Sequence, residues 1–246
     1  MTKAINYMIR TKFLAFLTGV LLAGIGAYAQ SVDDILSKNT EAMGGNAKLK
    51  GLKTQYIEGN MEVQGQSIPI KRWVKQDEGM RLEFNVMGAN NIQVVTSSSG
   101  WTLMPVMMQT EPQDMDAATA KLMKSQLDLR GELYDYKSKG KKIELAGKDT
   151  VNGAPAYKLK IISEDGKAGY AFLDAKTFLV VKILNNVNIK GQDLEVVTLL
   201  SDYRKTSEGL AYPGTTLQQP GDVKINIIKI DHNVPVADSL FAKPAK

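Results

Sequence analysis

The sequence has no cysteine in its 246 residues. That absence excludes a disulfide framework, a Cys-ligated zinc site and a cysteine nucleophile. It also excludes anchoring by acylation of a cysteine behind an export signal, so the mature chain is expected to be soluble and held by its core alone. Just over 200 residues are enough for such a core. Histidine is almost as scarce, His232 being the only one. A Ser-His-Asp arrangement needs a histidine with two partners, and Asp231 and His232 point to opposite faces of any strand. His232 therefore reads as an exposed or edge-strand residue. No Gly-rich phosphate loop and no metal-ligand cluster is present. Asp33-Asp34 and Glu164-Asp165 fall at a helix start and a turn, where carboxylates cap and solvate. No cofactor, metal or catalytic residue is expected, and the chain does not read as an enzyme.

Long apolar runs are missing after the N-terminus. The first residues have the three parts of an export signal: basic Lys3, Arg10 and Lys12, an apolar stretch from Phe13 to Ala27, and small-x-small Ala27-Tyr28-Ala29. The stretch is shorter than the roughly 20 residues of a bilayer span. Cleavage after Ala29 is expected, making residues 1–29 a signal peptide and 30–246 a single domain. The sequence pI of about 9.1 overstates the mature charge. Losing three of the 31 basic residues leaves 28 against 26 acidic ones. A surface so near neutrality carries no footprint for nucleic acid.

What is present is mostly β pattern. Ser31 with Asp34 forms a capping-box variant ahead of a first helix that Gly44-Gly45 ends. From Thr54 the period becomes two: Met80, Leu82, Phe84 and Val86 face one way, Arg81, Glu83 and Asn85 the other. Similar segments, separated by turn signals such as Gln64-Gly65 and Gly88-Ala89-Asn90, predict an antiparallel meander. Strands resume at about Lys142 and continue to His232. Between the two groups, Pro105 to Pro112 reads as a loop, Asp114 as an N-cap and Met115 to Arg130 as a helix. The expected fold is a single curved antiparallel half-barrel of about eleven strands, its apolar concave face covered by two helices as a lid. Such a concavity is a natural apolar ligand site.

Methionine marks a candidate lining. Eight fall between Met61 and Met123, and flexible, polarizable Met suits ligands of variable shape. Met107 and Met108, adjacent and in a loop, are poor core candidates. The expected cavity and lid residues are Leu82, Phe84, Trp101, Leu103, Met104, Met107, Met108, Met115, Leu122 and Met123. Burying an acyl chain of about 16 carbons is worth on the order of 12 kcal/mol at about 0.8 per methylene. Carrying one through water therefore needs an apolar pocket and a movable lid.

Four stretches stand in a familiar order: Glu41-Ala-Met-Gly-Gly-Asn-Ala-Lys-Leu-Lys-Gly-Leu-Lys53, Met80-Arg-Leu-Glu-Phe84, Ser99-Gly100-Trp101 with Pro105, and Asn233-Val-Pro-Val-Ala-Asp-Ser-Leu-Phe241 with Pro244. Together they resemble the outer-membrane lipoprotein carrier (LolA-type) family, in its longer, divergent branch. The resemblance implies an eleven-stranded half-barrel with a helical lid, in the periplasm, shielding lipoprotein acyl chains on their way to the outer membrane. The implied partners are acylated lipoprotein or lipid cargo, an inner-membrane donor and an outer-membrane acceptor. One departure stands out. Family members typically carry Arg before Pro at the turn preceding the strand that here begins near Met80, and it helps hold the lid closed. This chain reads Lys75-Gln-Asp-Glu-Gly79, with Lys75 the nearest basic residue and Arg81 inside the strand, which leaves an arginine latch and the standard relay open. A lipid-sensing regulatory module of the same fold, acting on a membrane partner, is the second reading, and an enzyme acting on acyl esters the third.

Cleavage has a direct check. The intact mass of the exported protein is expected to correspond to residues 30–246, and a mass that retains residues 1–29 would contradict it.

Overall fold

A computed structural model describes residues 31–189 and 192–244. The expected signal peptide and its cleavage site lie outside them. Two short helices open the described chain, α1 (Val32–Ala42) and α2 (Asn46–Lys50). Six strands follow: β1 (Thr54–Val63), β2 (Gln66–Lys75), β3 (Gly79–Val86), β4 (Ala89–Thr96), β5 (Gly100–Met104) and β6 (Gln109–Asp114). After α3 (Ala117–Lys124) come β7 (Lys142–Val151), β8 (Ala154–Ile162), β9 (Ala168–Asp174) and β10 (Val180–Ile189). Finally β11 (Gln192–Lys205), β12 (Ala211–Gln219) and β13 (Val223–His232) return toward the start.

Turn chemistry sets the hairpins. Gln64-Gly65, Met87-Gly88 and Asn152-Gly153 each supply two successive residues at positive φ. That is the geometry of a two-residue type I′ loop, whose twist matches the strands it joins. The hairpins assemble into one 13-stranded antiparallel sheet in the order β6-β5-β4-β3-β2-β1-β13-β12-β11-β10-β9-β8-β7. Every neighbour is also a sequence neighbour except β1 and β13, whose pairing joins the two meanders.

This order puts β6 and β7, consecutive in sequence, at opposite edges of the sheet. Twelve spacings of about 4.8 Å would separate them by about 58 Å on a flat sheet. The 27 residues 115–141 must bridge that gap, and they do so across one face, carrying α3 with them. Met123 and Leu127 pack on Val74, Met80 and Val95 of that face. Leu129 joins Leu49, Leu52 and Leu210. On the far half of the same sheet, Ile35 and Leu36 of α1 pack on Leu159, Ile161 and Leu173.

The opposite face of β3–β5 is covered by the C-terminal segment. Ile92, Val94 and Trp101 bury against Phe241, and the Trp101 indole N–H donates to Phe241 O at 3.1 Å. Gly79 is required here, because a Cβ at that position would stand 2.9 Å from the Phe241 ring. Arg81 donates to Leu240 O at 2.9 Å, and Lys75 reaches Asp238 at 2.8 Å.

The mostly β, antiparallel, helix-covered architecture is as expected, with differences of detail. The described residues form thirteen strands rather than about eleven, and three α-helices rather than two. The sheet stays open at β6 and β7. The segment read as a loop, Pro105 to Pro112, is a 3-10 turn (Pro105–Met107) followed by β6. Gln109–Asp114 lacks apolar alternation and contains Pro112, which an edge strand tolerates. The expected helix Met115–Arg130 shortens to α3 and a 3-10 turn, Ser125–Leu127. Its N-cap is Asp116, which accepts from Thr119 N at 2.9 Å, while Asp114 ends β6.

Phe241→Ala is expected to lower the unfolding free energy by about 3–5 kcal/mol, the range for truncating a buried Phe. Urea denaturation checks it, and a loss under about 1 kcal/mol would show that the C-terminal segment is not part of the core.

Candidate functional site

Beneath the crossing segment lies a cavity of about 430 Å³, inside the range of roughly 300–1,000 Å³ for small-molecule sites. Register places its floor in rows across β13, β1, β2, β3 and β4. One row runs Ile230, Ile57, Arg72, Leu82 and Gln93. The next runs His232, Gln55, Val74 and Met80. Ile227 and Ile70 belong to a third, meeting at Gly59. The opposite wall comes from the helical side: Met43, Leu49 and Leu52 near α2, and Met123, Gln126 and Leu129 from the crossing segment.

A β-bulge shapes this floor. Between Glu58 and Gly59 the register with β13 shifts from Lys229 to Ile227, leaving Ile228 as an extra residue, 64% exposed. The extra residue flips the parity of β13, so Ile225 and Ile227 face the cavity together with Ile230 and His232. Gly59 allows the tight crossing, since a Cβ there would lie 2.5 Å from Asn226 O.

One corner of the apolar floor is polar. The Arg72 guanidinium donates from Nη2 to Gln55 Oε1 at 2.8 Å, and Gln55 Nε2 lies 3.1 Å from His232 Nε2. An amide nitrogen only donates, so His232 Nε2 is the acceptor and the imidazole carries its proton on Nδ1. Burial pushes Arg72 down to about 10, which leaves it cationic at neutral pH. Burial also lowers His232 against the opposing pull of Glu208 and Asp231, so the ring is neutral there. His232 is thus neither exposed nor on an edge strand, as its sequence position suggests. It sits half-buried on a strand between β1 and β12, turned inward by the bulge.

The crossing segment is tied down at the turn before β3. Gln76 donates to Asp128 Oδ1 at 2.9 Å and accepts from Leu129 N at 2.8 Å. Asp77 N donates to Leu127 O at 3.1 Å. Asp128 is further held by Arg130 at 2.7 Å and by Lys139. Burial alone would raise its carboxyl, but hydrogen bonds from Arg130, Lys139 and Gln76 prevail and hold it well below the usual carboxylate range. At the other end of the crossing, Lys121 pairs with Asp165 in the β8–β9 turn at 3.1 Å. Lys75 and Arg81, the basic residues nearest the turn, serve the C-terminal segment instead. The tie at this turn combines the Gln76 amide with an ion pair between Asp77 and Arg130 at 3.7 Å, so the arginine involved stands on the crossing segment rather than in the turn.

The ten expected site residues do not gather in one place. Leu82 and Met123 line the cavity. Met115 packs beside Met123 in the same cluster, its sulfur against Gly100. Phe84 pairs with Ile70 in the third row of the floor, half-buried, but is not among the lining residues. Trp101 and Leu103 lie on the opposite face under Phe241, because β5 presents its odd positions outward. Met104 is half-buried and outside the lining. Met107 and Met108 are 72% and 93% exposed on the turn before β6, away from the cavity. Leu122 is 51% exposed, since Ala120, Met123 and Leu127 form the stripe that meets the sheet. Met107, Trp101 and Leu122 thus lie on three different surfaces rather than facing one cavity. Missed altogether were Gln55, Ile57, Arg72, Ile227 and His232. The period-two pattern of β1 and β2 could have indicated the first three, but the bulge breaks it in β13. Among the described residues no group of three or more His, Cys, Asp or Glu could hold a metal, and no helix is long and apolar enough to cross a membrane.

No family model and no curated protein matches the sequence. Solved structures do match in fold. A DUF1329 family protein from Desulfovibrio piger superposes with a TM-score of 0.59 at 14% identity, covering 87% of this chain and 98% of its own. A LolA superfamily protein from Nitrosomonas europaea gives 0.56 at 11%, covering 87% and 98%. The chain has the LolA-like fold. A domain from Vibrio parahaemolyticus assigned to outer membrane lipoprotein sorting agrees, with 0.54 at 11% identity over 85% of this chain and 95% of that one. In this LolA-like sheet the helical crossing and the cavity beneath it lie on one face.

Asp128→Asn is expected to loosen the crossing segment, since it removes hydrogen bonds to a charged group worth about 1.5–3 kcal/mol. Hydrogen exchange should rise about tenfold or more across residues 117–129 and stay unchanged in β7–β9. Because the folded carboxyl is depressed, its stabilisation is complete above the ordinary value near 3.9 and fades only as pH falls through the depressed one. The protection of this segment relative to intrinsic exchange should therefore be unaltered from pH 7 to about pH 4.5, and a loss of protection within that window would contradict the assignment.

Proposed function

We propose that this chain is a non-enzymatic carrier, exported to the periplasm by a signal peptide cleaved after Ala29, that shields lipoprotein acyl chains or a related lipid for sorting to the outer membrane. The supporting observation is the cavity itself. Isoleucine, leucine and methionine side chains from four strands and from the helical side line a space the size of a small-molecule site. An acyl chain placed there leaves water at about 0.8 kcal/mol per methylene. One wall is a segment attached mainly through side-chain bonds at Gln76 and Asp128 and through a few packed residues, so it can part from the sheet without breaking a strand pairing. Carriage requires both properties, a sealed apolar interior and a wall that opens. An inner-membrane donor and an outer-membrane acceptor would be the partners on either side of the transfer. The LolA-like fold, shared with a domain assigned to lipoprotein sorting, is consistent with this reading.

Protein purified from its own periplasm is expected to yield acyl-bearing lipid on extraction and a lipid-sized mass increment in native mass spectra. Ile227→Trp, which fills the floor, should abolish the increment while leaving the fold intact by circular dichroism. Consistently empty protein, together with normal lipoprotein sorting in a deletion strain, would sink the reading.

A further inference from the structure

Arg72 lies in the cavity wall with no ion-pair partner among the described residues, unlike the other three described arginines. Arg81 pairs with Glu83, Arg130 with Asp128 and Asp77, and Arg204 with Asp202. Its Nε–H is buried and has no acceptor. The same is true of His232 Nδ1, which carries the proton because Nε2 accepts from Gln55. Arg72 and His232, one of them cationic and each with an unmet donor, thus line a single cavity, bridged by the Gln55 amide. The remaining polar side chains of the lining are Gln93, Gln126, Tyr212 and Thr216, none of which carries a charge. The carboxylates Glu58 and Glu83 alternate to the other face of β1 and β3.

A buried cation without a counter-charge is destabilising, and unmet donors add to that. A chain that had only to hold hydrocarbon would be better served by Leu or Met at this position. The missing element is an acceptor-only group with negative charge, in contact with the apolar rows of Ile57, Ile70, Leu82 and Ile227. Neutral acyl esters and amides offer acceptors but no charge. Carboxylate and phosphate offer both, and guanidinium binds either in paired charge-assisted hydrogen bonds.

We propose that Arg72, Gln55 and His232 form a head-group clamp, and that the cavity takes an amphiphile with an anionic head, a carboxylate or a phosphate monoester, on an acyl chain. The Arg72 guanidinium meets the anion, His232 Nδ1–H donates a second bond, and Gln55 holds both donors in place. A volume of about 430 Å³ suits one such chain rather than several. This rests on the carrier reading above and names the chemistry of its cargo.

The test is calorimetric binding to delipidated protein at neutral pH, using palmitate, 1-palmitoyl-lysophosphatidate and neutral 1-monopalmitoylglycerol, each below its micelle concentration. One or both anions should bind at least about tenfold tighter than the neutral lipid, a difference of about 1.4 kcal/mol. Which anion binds tighter identifies a carboxylate or a phosphate head. Arg72→Gln should erase the preference without weakening monopalmitoylglycerol, and His232→Phe should reduce it several-fold. Equal affinity of wild-type protein for all three lipids overturns the clamp and leaves the carrier reading standing, and this comparison needs no variant to fold. Unchanged anion affinity in folded Arg72→Gln overturns the clamp as well. Failure of wild-type protein to bind any of the three overturns the carrier reading together with the clamp.

Discussion

The pairing of β1 with β13 governs the rest of the molecule. It joins two meanders at their inner ends and thereby drives β6 and β7 to opposite edges of a 13-stranded sheet. The 27 residues between them have no route but across a face. Residues of that face and of the crossing segment line one cavity, so the crossing spans a hollow rather than lying flat on the sheet. Lid and cavity are one consequence of strand order. The edges at β6 and β7 remain open, and the polar, proline-bearing sequence of β6 protects one of them against further pairing.

Two sets of bonds divide the labour of closing the hollow. Apolar contacts from Met123, Leu127 and Leu129 seat the crossing on the floor. The polar tie from Gln76 to Asp128 and Leu129 fixes where it begins to leave it. The first set is indifferent to pH, and the second keeps its charge to well below neutrality because Arg130 and Lys139 surround the carboxylate. On the outer face, Arg81 and Lys75 are committed to the C-terminal segment, which explains why neither is available to the lid.

Strand content was legible because alternation and turn chemistry are local. Met80-Leu82-Phe84 against Arg81-Glu83 marks β3 without reference to any partner, and Gln64-Gly65 marks the β1–β2 hairpin. Strand β6 was not legible, since Gln109–Asp114 is extended only through its pairing with β5. The helix start shifted from Asp114 to Asp116 for the same reason: β6 claims Asp114 for its last pair, with Trp101. The site was legible only in part. Leu82 and Met123 reach the cavity, whereas Trp101 and Leu103 were assigned a face that β5 does not give them. Methionine content was a poor guide, because Met87, Met107 and Met108 stand at turn tips where flexibility implies no lining role.

The sequence by itself determined that the chain would be built of antiparallel hairpins with an apolar face, would do without disulfides, and would interrupt its strands once for a helix. Those features depend on side-chain period, turn residues and composition, all of which act within a few positions. Only the tertiary structure decided which strands meet at the centre, that the interruption crosses a hollow, and that His232 and Arg72 share it. Each of these depends on register between residues about 160–180 positions apart, where one extra residue at Ile228 reverses which side chains face inward.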